Sequence, residues 1–276
     1  MKVIKQSAHI VKDWPRMNLY ERCEFAGRIS HASEDKIKEG SAEEFVRRMV
    51  EKKHESVFEF ARIKWGGKYP PGEDFVSLSN LRGVRFCARN YFKFNRAGEI
   101  GNALREIAQD YPAFFWDFPT SHPIWKPASG FLPAWETAND WIPVLITTNR
   151  AISHQLVRYR KDVVYLQASQ RYIKQQEGVD FIDPHVYLKD DDHARTTWEV
   201  AMEGAEQDYM WFLSRGYPAQ AARLVLPNSA ATKLIMYASP KTWRHVFEQR
   251  ISDKADPMIR ELLEPLKEEF EKKNLL

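Results

Sequence analysis

The sequence predicts an α+β fold in which helices predominate and the sheet is small. Residues 192–214 place apolar side chains at three- and four-residue steps, which is the spacing of one helix face. Residues 142–148 carry β-branched and aliphatic side chains over the length of a strand. Pro240 and Pro257 stand where the first turn of a helix accepts a proline. No internal repeat and no low-complexity tract is visible.

In the N-terminal part the sequence predicts a helix followed by a strand. Ser41-Ala-Glu-Glu44 has the form of a capping box, in which the serine accepts from the third helical amide and Glu44 reaches back. Phe45 and Met49 then fall on one face, so a helix is expected over about residues 41–53. Residues 57–65 mix aromatic and β-branched side chains and end at Gly66-Gly67, which predicts a strand.

Residues 68–141 differ from the rest of the chain in composition and are interpreted as an insertion. Prolines interrupt the stretch at positions 70, 71, 112, 119, 123, 127 and 133, and tryptophans and phenylalanines cluster around 114–141. Two helices are predicted here, over residues 79–89 and 99–111, with long ordered loops elsewhere. Such aromatic clusters usually pack within their own domain, and a partner or ligand surface is the second alternative.

The C-terminal half is predicted to be mostly helical. After the strand at 142–148, residues 149–156 continue as a helix, and the helix over 192–214 is expected to stop at Gly216. The remaining helices are expected to start at Pro218, at Pro240 towards Arg250, and at Asp256-Pro257, the last with a bend at Pro265.

Composition and charge indicate an ordinary globular protein. The 276 residues are 43% hydrophobic, and 41 basic against 38 acidic residues give a formal net charge of +3. This balance does not favour nucleic acid as a partner, so any basic site must be local. Only Cys23 and Cys87 occur, no apolar run reaches the length that spans a bilayer, and no secretory signal is visible, so a cytoplasmic location is expected.

Several common site types are not indicated. The sequence has no Gly-x-Gly-x-x-Gly after a strand, no Walker-type phosphate loop and no serine nucleophile elbow. The eight histidines do not fall in metal-binding spacing with one another or with the cysteines, so no metal is expected. Neither cysteine stands in a recognisable reactive setting.

The strongest functional signal is an arginine-rich segment. Gln155-Leu-Val-Arg158-Tyr159-Arg160 is followed by Tyr165-Leu-Gln167-Ala-Ser169-Gln-Arg171-Tyr172. Such a density of donors suits an anionic, amide-rich ligand such as a nucleotide. The alternative is a solvated basic loop, but the apolar residues in between predict half-buried guanidinium groups, which normally have a bound partner.

These segments together resemble the flavin-dependent thymidylate synthases, the ThyX family. The family signature is Arg-His-Arg, seven variable residues and Ser, continuing as Ser-x-Arg-Tyr. Here it reads Arg158-Tyr159-Arg160, eight residues, then Ser169-Gln-Arg171-Tyr172. Further blocks agree in order: Ala26-Gly-Arg28-Ile-Ser30, His54-Glu55-Ser56-Val-Phe58-Glu59, Gly216-Tyr-Pro218 to Arg223-Leu-Val-Leu-Pro227, and Trp243 to Arg250. The resemblance implies one ThyX-like domain over residues 1–276, with a small, mostly antiparallel sheet flanked by helices and an insertion at about 68–141.

The resemblance also implies a site for dUMP. Its contacts would be Gln155, Arg158, Gln167, Ser169, Arg171, Arg223 and Arg250. Arg158, Ser169 and Arg171 are plausible donors to a phosphate with close to two negative charges. Arg250 resembles the family arginine that faces the N3 and O2 edge of uracil and takes the catalytic role, favouring the N3-deprotonated pyrimidine without a covalent nucleophile.

An FAD site is implied in the same way. Its contacts would be Ser30, Ser56, Glu59, Arg158, Tyr159, Arg160, Gln167, Ser239, Lys241 and His245. His54 resembles the family histidine beside the flavin, where folate or nicotinamide stacks. The implied reaction is reductive methylation of dUMP to dTMP, with methylenetetrahydrofolate and NADPH as co-substrates. The resemblance also implies a homotetramer, which is the usual assembly in the family.

This chain departs from the family pattern at four places, one of which is Lys161-Asp162, in a stretch that is small or apolar in most members. Tyr159 replaces the signature histidine and cannot titrate near neutral pH. The spacer before Ser169 is one residue longer and must be absorbed in a bulge or loop. Ser239 and His245 stand where the family commonly has asparagine.

The departures leave other functions open. The enzyme could act on another pyrimidine nucleotide such as dCMP, could hydroxymethylate, or could be a nucleotide- or flavin-binding protein without catalysis. Taken singly, His54 is more often structural, Arg223 could pair with Asp208, and Arg250 could pair with Asp253.

Overall fold

The fold is that of a computed structural model, in which two compact units can be distinguished. The described residues are 1–69, 73–91, 99–126, 134–173, 175 and 177–276. The first unit comprises Met1–Lys12, Ile29–Ser33 and Asp140–Leu276, and the second comprises Asp13–Arg28 and Glu34–Asn139. The single ThyX-like domain expected from the sequence stays a prediction.

Strands and helices are interspersed along the chain. The described strands are β1 (Lys2–Ile4), β2 (Ser7–Ile10), β3 (Arg62–Tyr69), β4 (Glu73–Asn80), β5 (Ala134–Thr137), β6 (Ile142–Asn149), β7 (Val163–Gln167), β8 (Asp180–Ile182) and β9 (Ala231–Ala238). The described α-helices are α1 (Leu19–Ser30), α2 (Ser41–Glu51), α3 (Leu81–Tyr91), α4 (Glu99–Asp110), α5 (Arg150–Leu156), α6 (His185–Leu188), α7 (Asp192–Ser214), α8 (Ala219–Ala222), α9 (Pro240–Arg250) and α10 (Pro257–Lys272). The α+β class, the small and mostly antiparallel sheet and the helix-rich C-terminal half are confirmed.

The first unit is built on a four-stranded antiparallel sheet in the order β2-β6-β9-β7. β9 lies between β6 and β7, and its residues 234–238 are all buried. This strand is absent from the sequence prediction, because a continuous apolar run lacks the alternation that marks a half-exposed strand. β1 and β8 form a separate parallel pair.

Helices α9 and α10 form the core of the first unit with this sheet. Trp243 is fully buried between Phe247 and Phe270, at ring-centroid distances of 5.8 and 5.3 Å. Its indole nitrogen donates to the Ile142 carbonyl at 3.0 Å, which ties α9 to the start of β6. The core therefore fixes the helix that ends at Arg250.

The second unit contains the three-stranded antiparallel sheet β4-β3-β5 and most of helices α1 to α4. Arg22 of α1 is fully buried. Its guanidinium donates to the carbonyls of Trp14, Met17 and Ala138 and to the side-chain oxygen of Asn139. Those bonds supply the partners that a buried guanidinium requires.

Most helices predicted from the sequence are confirmed. α3, α4, α5, α7, α9 and α10 occupy the expected stretches, and the chain after α7 turns at Gly216 with a φ of +83°. The short helix expected after Pro218 is α8, which continues as a 3-10 turn over Arg223–Val225.

Two local predictions were wrong. The strand expected at residues 57–65 is a 3-10 helix over Glu55–Phe60 followed by β3, which continues through Gly66-Gly67. The buried side chains Val57, Phe58 and Phe60 pack inward from this turn rather than alternating as in a strand. The capping box does not form, because Gly40 is the N-cap of α2 and the Ser41 hydroxyl lies 2.7 Å from the Glu24 carboxylate.

The region interpreted as an insertion contains two strands, β4 and β5, where loops were expected. Part of the prediction lies outside the described residues, including prolines 70, 71, 127 and 133. None of the described helices combines the length and the apolar character needed to cross a bilayer.

Candidate functional site

The signature arginines lie on the turn between α5 and β7, and this turn is bound to the start of α9. Ser239 donates its backbone N–H to the Asp162 carbonyl at 3.0 Å, and the Thr242 hydroxyl donates to the Lys161 carbonyl at 2.9 Å. Asp162 has a φ of +52°, a left-handed conformation that aspartate tolerates better than most residues. The long spacer thus includes a turn that is fixed by the start of α9.

A basic pocket of 370 Å³ lies at this turn, and we call it the turn pocket. Its lining consists of Arg158, Tyr159, Arg160, Lys161, Asp162, Lys241, Thr242 and His245. The ring of His245 meets the Tyr159 ring edge-on at 5.7 Å. Five residues predicted to contact FAD therefore line one pocket, namely Arg158, Tyr159, Arg160, Lys241 and His245.

Ser239, a further predicted FAD contact, caps the helix beside this pocket. Its hydroxyl accepts from the Thr242 backbone N–H at 3.2 Å, which satisfies one of the free amides at the start of α9. The positive end of α9 and the cations of the turn pocket both favour a bound anion.

Arg250 is held in a defined orientation at the end of α9. Its Nε donates to the Tyr159 hydroxyl at 3.1 Å, and its Nη1 donates to Gln155 Oε1 at 3.1 Å. The alternative pairing of Arg250 with Asp253 does not occur, since Asp253 instead accepts from Arg260 at 3.4 Å. The two predicted dUMP contacts Gln155 and Arg250 are thus in direct contact, and Tyr159 fills the position of the signature histidine as a hydrogen-bond acceptor.

The other predicted contacts of the signature lie around the far end of β7. The Gln167 amide donates to the hydroxyls of Ser153 and Thr232, at 2.8 and 3.2 Å. Ser169 donates its backbone N–H to the Ser30 carbonyl at 3.0 Å, so two residues predicted to bind ligands are adjacent. The exposed Arg171 places its guanidinium 5.3 Å from the centre of the Tyr172 ring.

Arg223 lies near Arg150, a residue that sequence reasoning missed. Burial and the positive charge of Arg223 together lower the pKa of Arg150. Within the described residues neither guanidinium has a carboxylate partner, and Arg223 does not pair with Asp208. Two cations without a counter-charge are an arrangement that a bound anion would stabilise. The sequence does not single out Arg150, which is one arginine directly after the Asn149 cap of α5.

The remaining predicted contacts, His54, Ser56 and Glu59, belong to the second unit. His54 and Ser56 are exposed, and the Glu59 carboxylate forms an ion pair with Arg82. All three lie at or within the 3-10 segment Glu55–Phe60.

Glu55 anchors this segment through two arginines of α3. Its carboxylate accepts from Arg85 Nη2 and Arg89 Nη2, each at 2.9 Å. Burial alone would raise the pKa of Glu55, but the bonds to Arg85 and Arg89 outweigh it and the pKa is lowered. The Asp117 carboxylate completes the cluster, at 2.9 Å from each arginine.

Replacing Glu55 by glutamine is expected to reduce the free energy of unfolding at pH 7 by about 1–2 kcal/mol. Because the folded pKa is lowered, the stabilisation is present above the unfolded pKa of about 4.3 and is lost as the pH falls through the folded value. The wild-type and variant stabilities should therefore converge in acid, as measured by urea unfolding between pH 7 and pH 3. Glu51→Gln, at the exposed end of α2, is the control and should show no such convergence; an equal stability of wild type and Glu55→Gln at pH 7 would contradict the prediction.

Comparison with known proteins finds sequence similarity in the region of this site. The family described as thymidylate synthase complementing protein (Thy1) matches residues 142–274. A flavin-dependent thymidylate synthase of Mycobacterium tuberculosis is 31% identical over 127 residues, covering 41% of this chain and 50% of the relative. One of Geobacter sulfurreducens is 36% identical over 115 residues, covering 41% and 49%. The chain thus spans about half the length of the curated relatives it matches.

Among solved structures, a UMP/dUMP methylase PolB from Streptomyces cacaoi bound with 5-Br dUMP aligns over 99% of this chain and 93% of its own. The identity is 15% and the TM-score 0.46, which is too low to establish a shared fold. The family model covers β6, the signature turn, β9, α9 and α10. Over residues 142–274 the chain is therefore similar to the Thy1 family, and it resembles flavin-dependent thymidylate synthases of two bacteria at 31% and 36% identity.

Proposed function

We propose that this protein is a flavin-dependent thymidylate synthase, which methylates dUMP reductively to dTMP. Methylenetetrahydrofolate would supply the one-carbon unit and NADPH the reducing equivalents, through FAD. The observation that carries the proposal is the Arg250 guanidinium, held by Tyr159 and Gln155 next to the turn pocket. The match of residues 142–274 to the Thy1 family model supports it, because that region supplies all of these side chains.

Arg250 is the proposed activating group. A guanidinium at the N3 and O2 edge of uracil favours the N3-deprotonated pyrimidine and raises the electron density at C5. This activation requires no covalent nucleophile, and Cys23 does not offer one. Cys23 is fully buried, and burial raises the pKa of its thiol.

The proposed phosphate donors are Arg158, Ser169, Arg171 and Arg223, to which we add Arg150. The phosphomonoester of dUMP carries close to two negative charges near neutral pH. Burial and then the charge of Arg223 lower the pKa of Arg150, and such a group would offset the repulsion between the two arginines. Gln155 and Gln167 are the remaining proposed contacts of the nucleotide.

The residues of the turn pocket suit the diphosphate of FAD. Arg158, Arg160 and Lys241 are exposed cations, and the capped start of α9 adds to the positive potential. When bound, FAD supplies the redox chemistry that links oxidation of NADPH to reduction of the one-carbon unit. Ser30, Ser56, Glu59, Tyr159, Gln167, Ser239 and His245 are the other proposed FAD contacts, and His54 is proposed to lie beside folate or nicotinamide.

The purified protein tests this proposal directly. It should be yellow, or become so with added FAD, and it should release tritium from 5-tritiated dUMP when NADPH and methylenetetrahydrofolate are present. A colourless protein that FAD cannot reconstitute would overturn the proposal. The mass of the product separates methylation from hydroxymethylation, and parallel assays with dCMP test the other pyrimidine nucleotide. Flavin that stays oxidised with excess NADPH would favour a binding protein without catalysis.

The assembly and location form part of the same proposal. The partners would be small molecules, namely dUMP, folate and NADPH, in a cytoplasmic homotetramer. Analytical ultracentrifugation of the purified protein measures the assembly, and a monomeric active enzyme would contradict that part.

Reversing the charge of Lys241 is expected to weaken FAD binding. Lys241→Glu places a carboxylate beside the Arg158 and Arg160 cations and the proposed diphosphate site, so the Kd for FAD should rise about tenfold at low salt, and less at high salt. Quenching of flavin fluorescence measures the affinity. Lys254→Glu, which makes the same charge change at an exposed position outside the turn pocket, should leave the Kd unchanged. Equal weakening by both substitutions would point to net charge and not to this pocket.

A further inference from the structure

The Arg250 guanidinium is the first member of a hydrogen-bonded chain that continues to two residues outside the family signature. Gln155 accepts from Arg250 Nη1 through Oε1 and donates through Nε2 to Asp256 Oδ2 at 3.0 Å. Asp256 Oδ1 in turn accepts from the Tyr187 hydroxyl at 2.5 Å and from the Met258 backbone N–H at 2.9 Å. Asp256 is also the N-cap of α10, so its carboxylate is fixed by the helix.

The chemistry of these groups permits one orientation of the Gln155 amide. A guanidinium can only donate and an ionised carboxylate can only accept. The amide oxygen must therefore face Arg250 and the amide nitrogen must face Asp256. Reversal would place N–H groups against the guanidinium and the amide oxygen against the carboxylate.

Tyr187 supports the same orientation of the Gln155 amide, because it donates to the other carboxylate oxygen of Asp256. Partial burial and the bond to Asp256 raise the pKa of Tyr187 to about 12, so its hydroxyl is protonated at neutral pH and donates to the carboxylate. With the Met258 amide, this leaves Asp256 Oδ2 to accept from Gln155. The carboxylate is thus held by one backbone donor and two side-chain donors, which fixes its plane.

The chain also decides which part of Arg250 remains for a ligand. A guanidinium has five N–H donors. Tyr159 takes the one on Nε and Gln155 takes one on Nη1, so one Nη1 donor and both Nη2 donors remain for a ligand. A planar edge with parallel donors matches the acceptor pattern of an N3-deprotonated pyrimidine.

We propose that Asp256, supported by Tyr187, is a positioning residue. It makes the Gln155 amide turn its oxygen to Arg250, and this contact orients the Arg250 guanidinium towards the pyrimidine. This inference rests on the proposed function and names residues that the family resemblance does not assign. Asp256 acts through Gln155 and does not itself touch the nucleotide.

Asp256→Asn tests this role with little change in shape. Asparagine is as good an N-cap as aspartate, so α10 should keep its start and the unfolding temperature should change little. The side-chain amide of the asparagine, however, has an NH2 group in place of one carboxylate oxygen. That group must face either the Gln155 NH2 or the Met258 N–H, so two donors oppose each other. The conflict should lower kcat/KM for dUMP about tenfold to a hundredfold, with most of the loss in kcat.

A second substitution distinguishes positioning from a purely structural role. Gln155→Glu in the Asp256→Asn background restores an acceptor towards both the introduced asparagine amide and Arg250, whereas Gln155→Glu alone opposes two carboxylates. The double variant should therefore be more active than either single variant. Its affinity for dUMP, measured by calorimetry without the other substrates, should likewise be higher than that of either single variant. Tyr187→Phe should show a smaller loss in the same direction, about twofold to fivefold.

The matched control is Asp253→Asn, which changes the same residue type three positions away at a fully exposed site and should retain wild-type kinetics. Asp256→Asn within twofold of the wild type, or losses that simply add in the double variant, would overturn the inference while the proposed function stands. A wild-type protein that neither binds dUMP nor releases tritium would overturn the proposed function, and the inference with it.

Discussion

Replacing Arg250 with alanine is expected to lower kcat/KM for dUMP by about a hundredfold to a thousandfold, because the removed guanidinium stabilises charge that develops only in the activated pyrimidine. FAD should stay bound, since Arg250 is not among the residues that line the turn pocket. Tritium release measures turnover, and the visible spectrum measures flavin content. The effect should exceed that of any other single substitution in the site.

Arg260→Ala is the matched control for this experiment. Arg260 lies one turn into α10 and pairs at the surface with Asp253 and Glu264, so its removal deletes the same side chain from the same part of the chain. Surface pairs of this kind contribute little to stability. Full activity of Arg250→Ala would show that another group activates the pyrimidine, and loss of flavin in that variant would show that the guanidinium supports the cofactor.

Arg250→Lys refines the same prediction. Lysine keeps the charge, but its single ammonium cannot bond Tyr159 and Gln155 in one plane as the guanidinium does. Activity between that of the wild type and that of Arg250→Ala would indicate that both charge and orientation matter.

The elements that sequence reasoning identified are those with strong local signals. α7 has a regular apolar face, and α9 and α10 begin with proline at the first helical position. β9 was missed because Leu234 to Ala238 are all buried, so the sequence shows no alternation of apolar and polar residues there. Its place between β6 and β7 follows only from the pairing of the strands. The 3-10 segment Glu55–Phe60 was assigned to a strand because its aromatic content resembles that of one.

For the candidate site, residue types were predictable and contacts were not. Gln155, Tyr159 and Arg250 were each selected from the sequence, but the bonds between them join positions more than ninety residues apart. From the sequence, Asp256 was predicted only to start a helix together with Pro257. Its bond to Gln155 follows from the packing of α10. Arg150 was overlooked because a single arginine after a helix cap has no distinguishing pattern until Arg223 is placed beside it.

Trp243→Ala is expected to reduce the free energy of unfolding of the first unit by about 3–5 kcal/mol, since it leaves a large cavity in the core. Trp243 is fully buried against Phe247 and Phe270, and its loss would also remove the donor to the Ile142 carbonyl. Urea unfolding followed by circular dichroism measures the change. Trp211→Ala removes the same side chain from an exposed position of α7 and should cost less than about 1 kcal/mol.

The comparison of Trp243→Ala with Arg250→Ala separates two properties of one helix. α9 carries Trp243 towards the core and Arg250 towards the candidate site, so both substitutions reduce activity for different reasons. In Trp243→Ala the loss of turnover should follow the loss of folded protein, and low temperature or bound dUMP should recover it. In Arg250→Ala the protein should remain folded and inactive under all of these conditions. If stabilising Trp243→Ala did not restore turnover, the core contact of α9 would itself be required to orient Arg250.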